Sequence, residues 1–495
     1  MNLPILPELI VVGTAFVVLL LDLFLSERGK VVLAPIALAG LVASFVSVVN
    51  LLPAETVMFG GRFVFDGMAG WFKLFFLIAG IITVAISLDL LDGRFANKEG
   101  HTEQLGSRGE YYTVLLFTLT GMMFLMSARD LITLYISLEL TTIPLFILTA
   151  WKRTDRKSGE AGLKYVILGA LSSATLLYGL GILYGLTGST TLSLIAQNLT
   201  MSPAFWLSAA LITAGIGFKL TLVPFHMWAA DVYQGAPTPI TAYLTVASKG
   251  AGLAFMFQLY WRVMGDFIAD WGTLIAIFAT ATMTLGNVVA IVQKNIKRFM
   301  AFSAISQAGY LLLGFLGPYK EGFSAMVFYL FVYVITNMTV FAVIVFYSNE
   351  TGREEISEYR GLSRTNPLIA LVMMAALFSL AGIPPLSGFV GKFFLFSIAA
   401  KSGYHWLVGV AAINSTISLY YYLRVVRQMY MEPIYEGAKQ LKVTPVLATT
   451  ICAGGLGTVL VGIIPFFYET IYAHTSSFMT SDIFTLIKET YQLVQ

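Results

Sequence analysis

The chain has 495 residues, 57% of them hydrophobic and 12% charged, where an average soluble domain carries roughly a quarter charged residues. These proportions exclude a soluble globular protein, and the single cysteine, Cys452, excludes an internal disulfide and any all-cysteine metal or iron–sulfur site. The net charge of +3 excludes nothing by itself, because where the charges fall matters more than their sum.

Runs of about twenty apolar residues recur from end to end, each long enough to cross about 30 Å of hydrocarbon. In chain order they predict fourteen spans, at 5–25, 32–52, 67–91, 111–128, 130–150, 160–185, 204–226, 238–264, 271–292, 299–316, 322–348, 367–398, 404–430 and 443–467. The fold class is therefore an all-α polytopic membrane protein of about fourteen transmembrane helices, with no gap long enough for a soluble domain. The N-terminus lacks a basic region and a small-residue cleavage site, so 5–25 is read as a retained helix. Nineteen of the thirty basic residues follow odd-numbered spans, among them Arg28, Arg94, Lys98, Lys152, Arg298 and Lys439. Six lie opposite: Arg62, Arg129, Arg262, Lys320, Lys401 and Lys488. The excess of basic residues in cytoplasmic loops then predicts both termini on the outer side of the membrane, and a bacterial inner or thylakoid-like membrane is the expected location.

The other five basic residues, Lys73, Lys164, Lys219, Lys249 and Lys392, sit inside the apolar runs. A charge at the bilayer centre costs at least about 2.5–3.5 kcal/mol, and such residues mark functional sites. All five are lysine, which can release its proton where arginine effectively cannot. Lys73 is only one to two turns into the third span with Asp66 seven residues earlier, and a local role suits it. Lys164 is near the cytoplasmic start of the sixth span, where snorkelling to the surface competes with a role in proton movement.

Glu139 is the one carboxylate well inside a span, about 14 Å into the fifth at 1.5 Å per residue, near the midplane. A structural salt bridge is one reading of it, a modulator of a lysine's charge the other. Burial and a nearby carboxylate act on a lysine in opposite senses, so a shift of a few ångström makes a two-state electrostatic switch. Ser172, Ser173, Tyr178, Thr221, Tyr243, Ser248, Ser303, Ser306, Gln307 and Asn337 add polar side chains at membrane depth, for water chains or for helix–helix hydrogen bonds. His226 has a side chain suited to proton transfer but lies at a helix end, where capping is an alternative.

Two spans contain helix breakers. The seventh runs Gly215-Ile-Gly217-Phe-Lys219-Leu-Thr221-Leu-Val-Pro224, and the twelfth Ala381-Gly382-Ile-Pro384-Pro385-Leu-Ser387-Gly388. A plain proline kink is the alternative to a true break; broken backbone at this depth requires protein or a water-filled cavity around it. The two sites are five spans apart, which suggests inverted five-helix repeats over spans 4–8 and 9–13, each broken at its fourth member. The implied division is 1–110, 111–264, 271–430 and 443–495. No nucleotide, flavin or metal motif accompanies these features, so no cofactor in this chain and no nucleic-acid partner is expected.

Residues 219–249, from Lys219-Leu-Thr-Leu-Val-Pro224-Phe-His226-Met-Trp228 through Asp231-Val-Tyr-Gln-Gly-Ala-Pro-Thr-Pro-Ile to Ser248-Lys249, resemble the signature of the antiporter-like membrane subunits of respiratory complex I. So do Leu6-Pro7-Glu8-Leu9-Ile10, Asn295-Ile-Lys-Arg-Phe-Met300 and Ala381-Gly382-Ile383-Pro384-Pro385-Leu386-Ser387-Gly388-Phe389. The likeness is strongest to the N-type, called subunit 2 in mitochondria, because lysine stands at both the eighth- and twelfth-span positions. The resemblance implies a subunit of a proton-translocating NADH:quinone oxidoreductase, a translocase whose redox chemistry lies elsewhere. It implies proton transfer through Glu139, Lys219, Lys249 and Lys392, with Lys164 as a further member. Flavin, iron–sulfur clusters and quinone would then belong to partner subunits. Other complex I membrane subunits, including a neighbouring antiporter-like one, would be its partners within the bilayer. The competing expectation is a subunit of a multi-subunit cation/proton antiporter.

Overall fold

A computed structural model describes residues 3–52, 54–91, 108–434, 440–464 and 466–476. Arg94, Lys98, Lys439 and Lys488 of the charge count, both chain ends and the tail from 477 lie outside the described residues. Among those residues twelve helices are long and apolar enough to cross a membrane. The other two predicted spans are also helical. The thirteenth is a more polar 26-residue helix, His405–Tyr430, and the twelfth is two fifteen-residue halves, Pro367–Ala381 and Ser387–Lys401. A further helix, Phe466–Ser476, follows the fourteenth span. The only described strands, β1 (Thr56–Met58) and β2 (Phe63–Phe65), form an antiparallel hairpin between spans two and three.

The eleventh span, Tyr319–Thr351, forms the hub. Its 33 residues extend about 50 Å at 1.5 Å per residue, and 94% of its apolar window is buried. It packs on the third and eighth spans, on both halves of the twelfth and on the fourteenth. A helix apolar all round belongs inside a bundle, and this one touches both the eighth span and the two halves of the broken twelfth. By contrast the first and second spans are each only 33% buried, as helices facing lipid or a neighbouring subunit would be.

Two glycines set close helix contacts at corresponding places in the two proposed repeats. A Cβ at Gly121 of the fourth span would stand 2.6 Å from the Thr141 nitrogen of the fifth. One at Gly286 of the ninth would stand 2.6 Å from the Ser306 nitrogen of the tenth. Small residues that let backbones meet are the usual means of packing helices where no hydrophobic effect drives them together.

The loops sort into two ends. At one, Asp66 pairs with Arg129 at 2.7 Å and Arg262 at 3.1 Å, joining the connections after spans two, four and eight. At the other, Lys297 pairs with Glu354 at 2.8 Å, and Asn295 bridges Glu355, joining the connections after spans nine and eleven. Even loops meet even and odd meet odd, the alternation that successive crossings require.

Candidate functional site

Both predicted breaks are present and are closed the same way. The first half of the seventh span, Pro203–Leu220, ends with Thr221 in the left-handed region at φ 60°. Leu222 N–H then donates to Gly217 O at 2.8 Å and Thr221 N–H to Phe218 O at 3.1 Å. The first half of the twelfth ends at Ala381, with Gly382 at φ 88°. There Ile383 N–H donates to Phe378 O at 3.0 Å and Gly382 N–H to Ser379 O at 2.9 Å. Each is a Schellman closure, which ends a helix cleanly instead of kinking it. Beyond the first break the chain re-forms a short helix, Ala229–Gly235. A cavity of about 290 Å³ opens beside this break, lined by Ser172, Thr175, Phe218, Pro224, Phe225 and Trp228 among others.

Lys219 lies in the last turn before the first break, where a cation complements the helix dipole, and it is 4% exposed. Its ammonium stands 3.9 Å from Glu139 on the fifth span, Leu131–Thr149. It donates to Thr142 Oγ1 at 2.8 Å and to Ser173 Oγ at 3.4 Å. Ser173, on the sixth span, donates in turn to Glu139 Oε1 at 2.7 Å. Three helices therefore meet around one loosely held ion pair.

Lys249 is fully buried on the eighth span, directly after a single π-helical turn, Leu244–Ser248. Such turns recur at functional sites. Its ammonium donates to Leu220 O at 3.3 Å and to the Thr221 hydroxyl, the end of the half-helix that carries Lys219. Lys392, 3% exposed on the second half of the twelfth span, donates to Ala381 O and to Ser415 Oγ, both at 3.2 Å. It also lies 4.5 Å over the Tyr310 ring. A polar thread crosses the hub between these two lysines. Asn337 donates to Thr245 Oγ1 at 2.7 Å, one turn before Lys249. Thr336 meets Ser379 at 3.4 Å, and Ser379 meets Ser387 at 3.3 Å beside the second break. Gln307 donates to Leu380 O at 3.4 Å and receives the Tyr329 hydroxyl.

Not every sequence candidate joins this group. Lys164 stays at the odd-loop end of the sixth span, 39% exposed, paired with Glu160 and Asp231 at 2.7 Å each. Asp231 also holds Arg298, which ties the short helix after the break to the start of the tenth span. His226 lies in the turn after the break, partly exposed, and bonds none of the lysines. Tyr178 points outward, 64% exposed.

The third span corrects one expectation. Lys73 meets Glu8 of the first span at 2.6 Å, both side chains fully buried, under the rings of Phe63 and Phe65. Glu139 is therefore not the only deeply buried span carboxylate. In the sequence Glu8 stands near a predicted helix start, where its burial is not legible, and its partner is 65 residues away. Through this pair Lys73 fastens the first span to the third.

The chain matches the family model described as NADH:quinone oxidoreductase/Mrp antiporter, TM, over residues 128–418. It is 41% identical over 462 residues to a protein of Moorella thermoacetica named NADH-quinone oxidoreductase subunit N, covering 92% of this chain and 94% of that one. A chain of respiratory complex I from Thermus thermophilus superposes with a TM-score of 0.79 at 30% identity, covering 93% of this chain and 97% of that one. A chain of an Mrp complex from Dietzia sp. superposes at 0.85 with 20% identity, over 99% of this chain and 100% of that one, a likeness of fold alone.

Proposed function

This chain belongs to the NADH:quinone oxidoreductase/Mrp antiporter transmembrane family, among its N-type subunits, and we propose that it moves protons across the membrane as part of a membrane-bound NADH:quinone oxidoreductase. The observation that carries the reading is the 3.9 Å gap between Lys219 and Glu139, a pair held near each other but not closed. A signal from a neighbouring subunit displaces the carboxylate, and Lys219 gives up its proton to water. The proton passes to Lys249, at the end of Lys219's own half-helix, then along the thread through the hub to Lys392, which releases it outward. Moving one charge against 100 mV costs about 2.3 kcal/mol. A separation that weakens proton binding a hundredfold supplies about 2.7 kcal/mol.

In this reading Glu139, Lys219, Lys249 and Lys392 carry the proton and Lys164 serves the cytoplasmic mouth. Both termini face outward from a bacterial inner or thylakoid-like membrane, and spans 4–8 and 9–13 are inverted repeats. The partners are the other membrane subunits, including a neighbouring antiporter-like one. Flavin, iron–sulfur clusters and quinone are theirs, and the whole assembly is the translocase.

The test is Lys219→Ala in the intact complex, reconstituted in vesicles. Proton translocation should fall at least roughly tenfold; near-normal coupled turnover would sink the proposal. The matching family, described as NADH:quinone oxidoreductase/Mrp antiporter, TM, keeps a second reading, a cation/proton antiporter subunit. Purification with flavin- and cluster-bearing subunits supports the first reading, and with small antiporter subunits alone the second.

A further inference from the structure

The end of a helix is a cation site in waiting. Its last carbonyls have no intrahelical donor, and the dipole concentrates about half a negative charge there. In transporters with broken helices such ends, with unwound carbonyls, bind sodium at the midplane. This chain buries two ends of that kind, and an ammonium already sits on each.

At the first, Lys249 donates to Leu220 O and to the Thr221 hydroxyl. At the second, Lys392 donates to Ala381 O and to Ser415 Oγ, and Ser415 itself donates to Ala381 O at 2.9 Å. The recipe is the same both times: one terminal carbonyl, one hydroxyl and one lysine nitrogen. The lysines arrive by different routes, one from the separate eighth span, the other from the second half of the broken helix itself. Among the described residues neither ammonium has a carboxylate within ion-pairing distance, so the helix end is its main electrostatic partner.

We propose that the two half-helix ends are monovalent-cation sites that Lys249 and Lys392 keep filled with a tethered ammonium, which makes the path selective for protons over sodium. The inference rests on the proton-moving reading above. A free cation can leave a helix end and be replaced by another; a tethered one cannot. Only its proton exchanges: the ammonium gives a proton to water, leaving a neutral amine and a hydronium ion, and recovers it in the reverse step. Throughout, the amine and its four-carbon stem occupy the space a sodium ion would need. Lys249 and Lys392 are thus specificity-determining residues as well as proton carriers.

The experiment uses the intact detergent-solubilised complex and radioactive sodium in equilibrium dialysis. Four variants are compared with the wild type: Lys249→Ser, Lys392→Ser, Lys249→Met and Lys392→Met. Serine empties the stem's volume and leaves the helix end open, whereas methionine fills it without charge. Each serine variant should bind about one more sodium ion per complex than the wild type, and the methionine variants none. Serine variants that bind no more sodium than their methionine counterparts overturn the inference. Should one site's variants fail to assemble, the other pair decides it. The sodium count needs no pumping, so it is separate from the Lys219→Ala test: lost pumping without gained sodium removes only the selectivity argument, and gained sodium with intact pumping in Lys219→Ala removes only the proton-path reading.

Discussion

Lys219 and Glu139 face each other at 3.9 Å without closing, and the Ser173 hydroxyl, 2.7 Å from the carboxylate and 3.4 Å from the ammonium, is what stands between them. The serine holds the carboxylate at arm's length and gives it a hydrogen bond that does not depend on the lysine's charge. Ser173→Ala removes that bond and leaves an acceptor to be satisfied by the lysine. The ion pair should tighten, and a hydrogen bond to a charged group is worth about 1.5–3 kcal/mol. Proton translocation by the vesicle-reconstituted complex should slow by roughly tenfold with assembly intact. An unchanged rate would mean that the spacing of the pair is incidental.

Glu8 and Lys73 show the opposite design: 2.6 Å apart, both fully buried, with aromatic rings beside the ammonium. Removing one partner strands the other charge, at a cost of about 3–5 kcal/mol, whereas replacing both by apolar residues of similar volume can be neutral. Glu8→Gln alone should sharply lower the thermal stability of the purified complex. The double variant Glu8→Leu with Lys73→Met should recover most of it and still pump. A double variant that stays stable but no longer pumps would give this pair a place in the proton path.

The unequal legibility of these two pairs has a physical origin. Lys219, Lys249 and Lys392 announce themselves because an ammonium inside twenty apolar residues is costly wherever the chain folds, and the breaks because glycine and proline act on the backbone locally. Glu8 has neither mark: it falls three residues into a helix, where a carboxylate is ordinary, and only tertiary packing buries it against the third span. Lys164 failed to join the core set for the converse reason. Sequence places it in an apolar run, but its partner, Asp231, lies on a short helix that exists only because the seventh span breaks. The hub role of the eleventh span is likewise a matter of position; its apolarity hardly differs from that of the peripheral first span, with mean hydropathy 2.1 against 2.2.

At the odd-loop end, Glu354 bears on pH dependence. Burial works to raise its carboxyl, but the Lys297 charge 2.8 Å away, together with hydrogen bonds from Lys297 and Asn295, outweighs that and holds it below the ordinary 4.5. A depressed carboxylate stabilises the folded chain above its unfolded value, and the contribution disappears as pH falls through the folded one. Since the side chain is 31% exposed, the effect is about 1 kcal/mol. Thermal unfolding should therefore separate Glu354→Gln from wild type at neutral pH and bring the two progressively together as the pH falls below the ordinary 4.5. A gap that persists into acid would assign the effect to shape, not charge.

Thr221 and Gly382 occupy equivalent left-handed positions, at φ 60° and 88°, but only glycine adopts that region without strain. A β-branched residue there costs about 1–2 kcal/mol, and the return on that cost is the hydroxyl that receives Lys249. Thr221→Gly relieves that strain but removes a hydrogen bond to a buried ammonium, worth about 1.5–3 kcal/mol, so stability should not rise, while proton translocation should slow severalfold and Thr221→Ser should keep the rate. At Gly382 the same logic runs backwards. An added Cβ would lie 3.1 Å from Lys392 Cδ and 3.7 Å from its nitrogen, so Gly382→Ala both strains the turn and crowds the ammonium off Ala381 O. It should lower stability and rate together. Measured side by side, the two glycine–side-chain exchanges should both slow translocation. If Thr221→Gly left the rate untouched, the threonine hydroxyl would have no part in holding the lysine, and the strain at the first break would be unexplained.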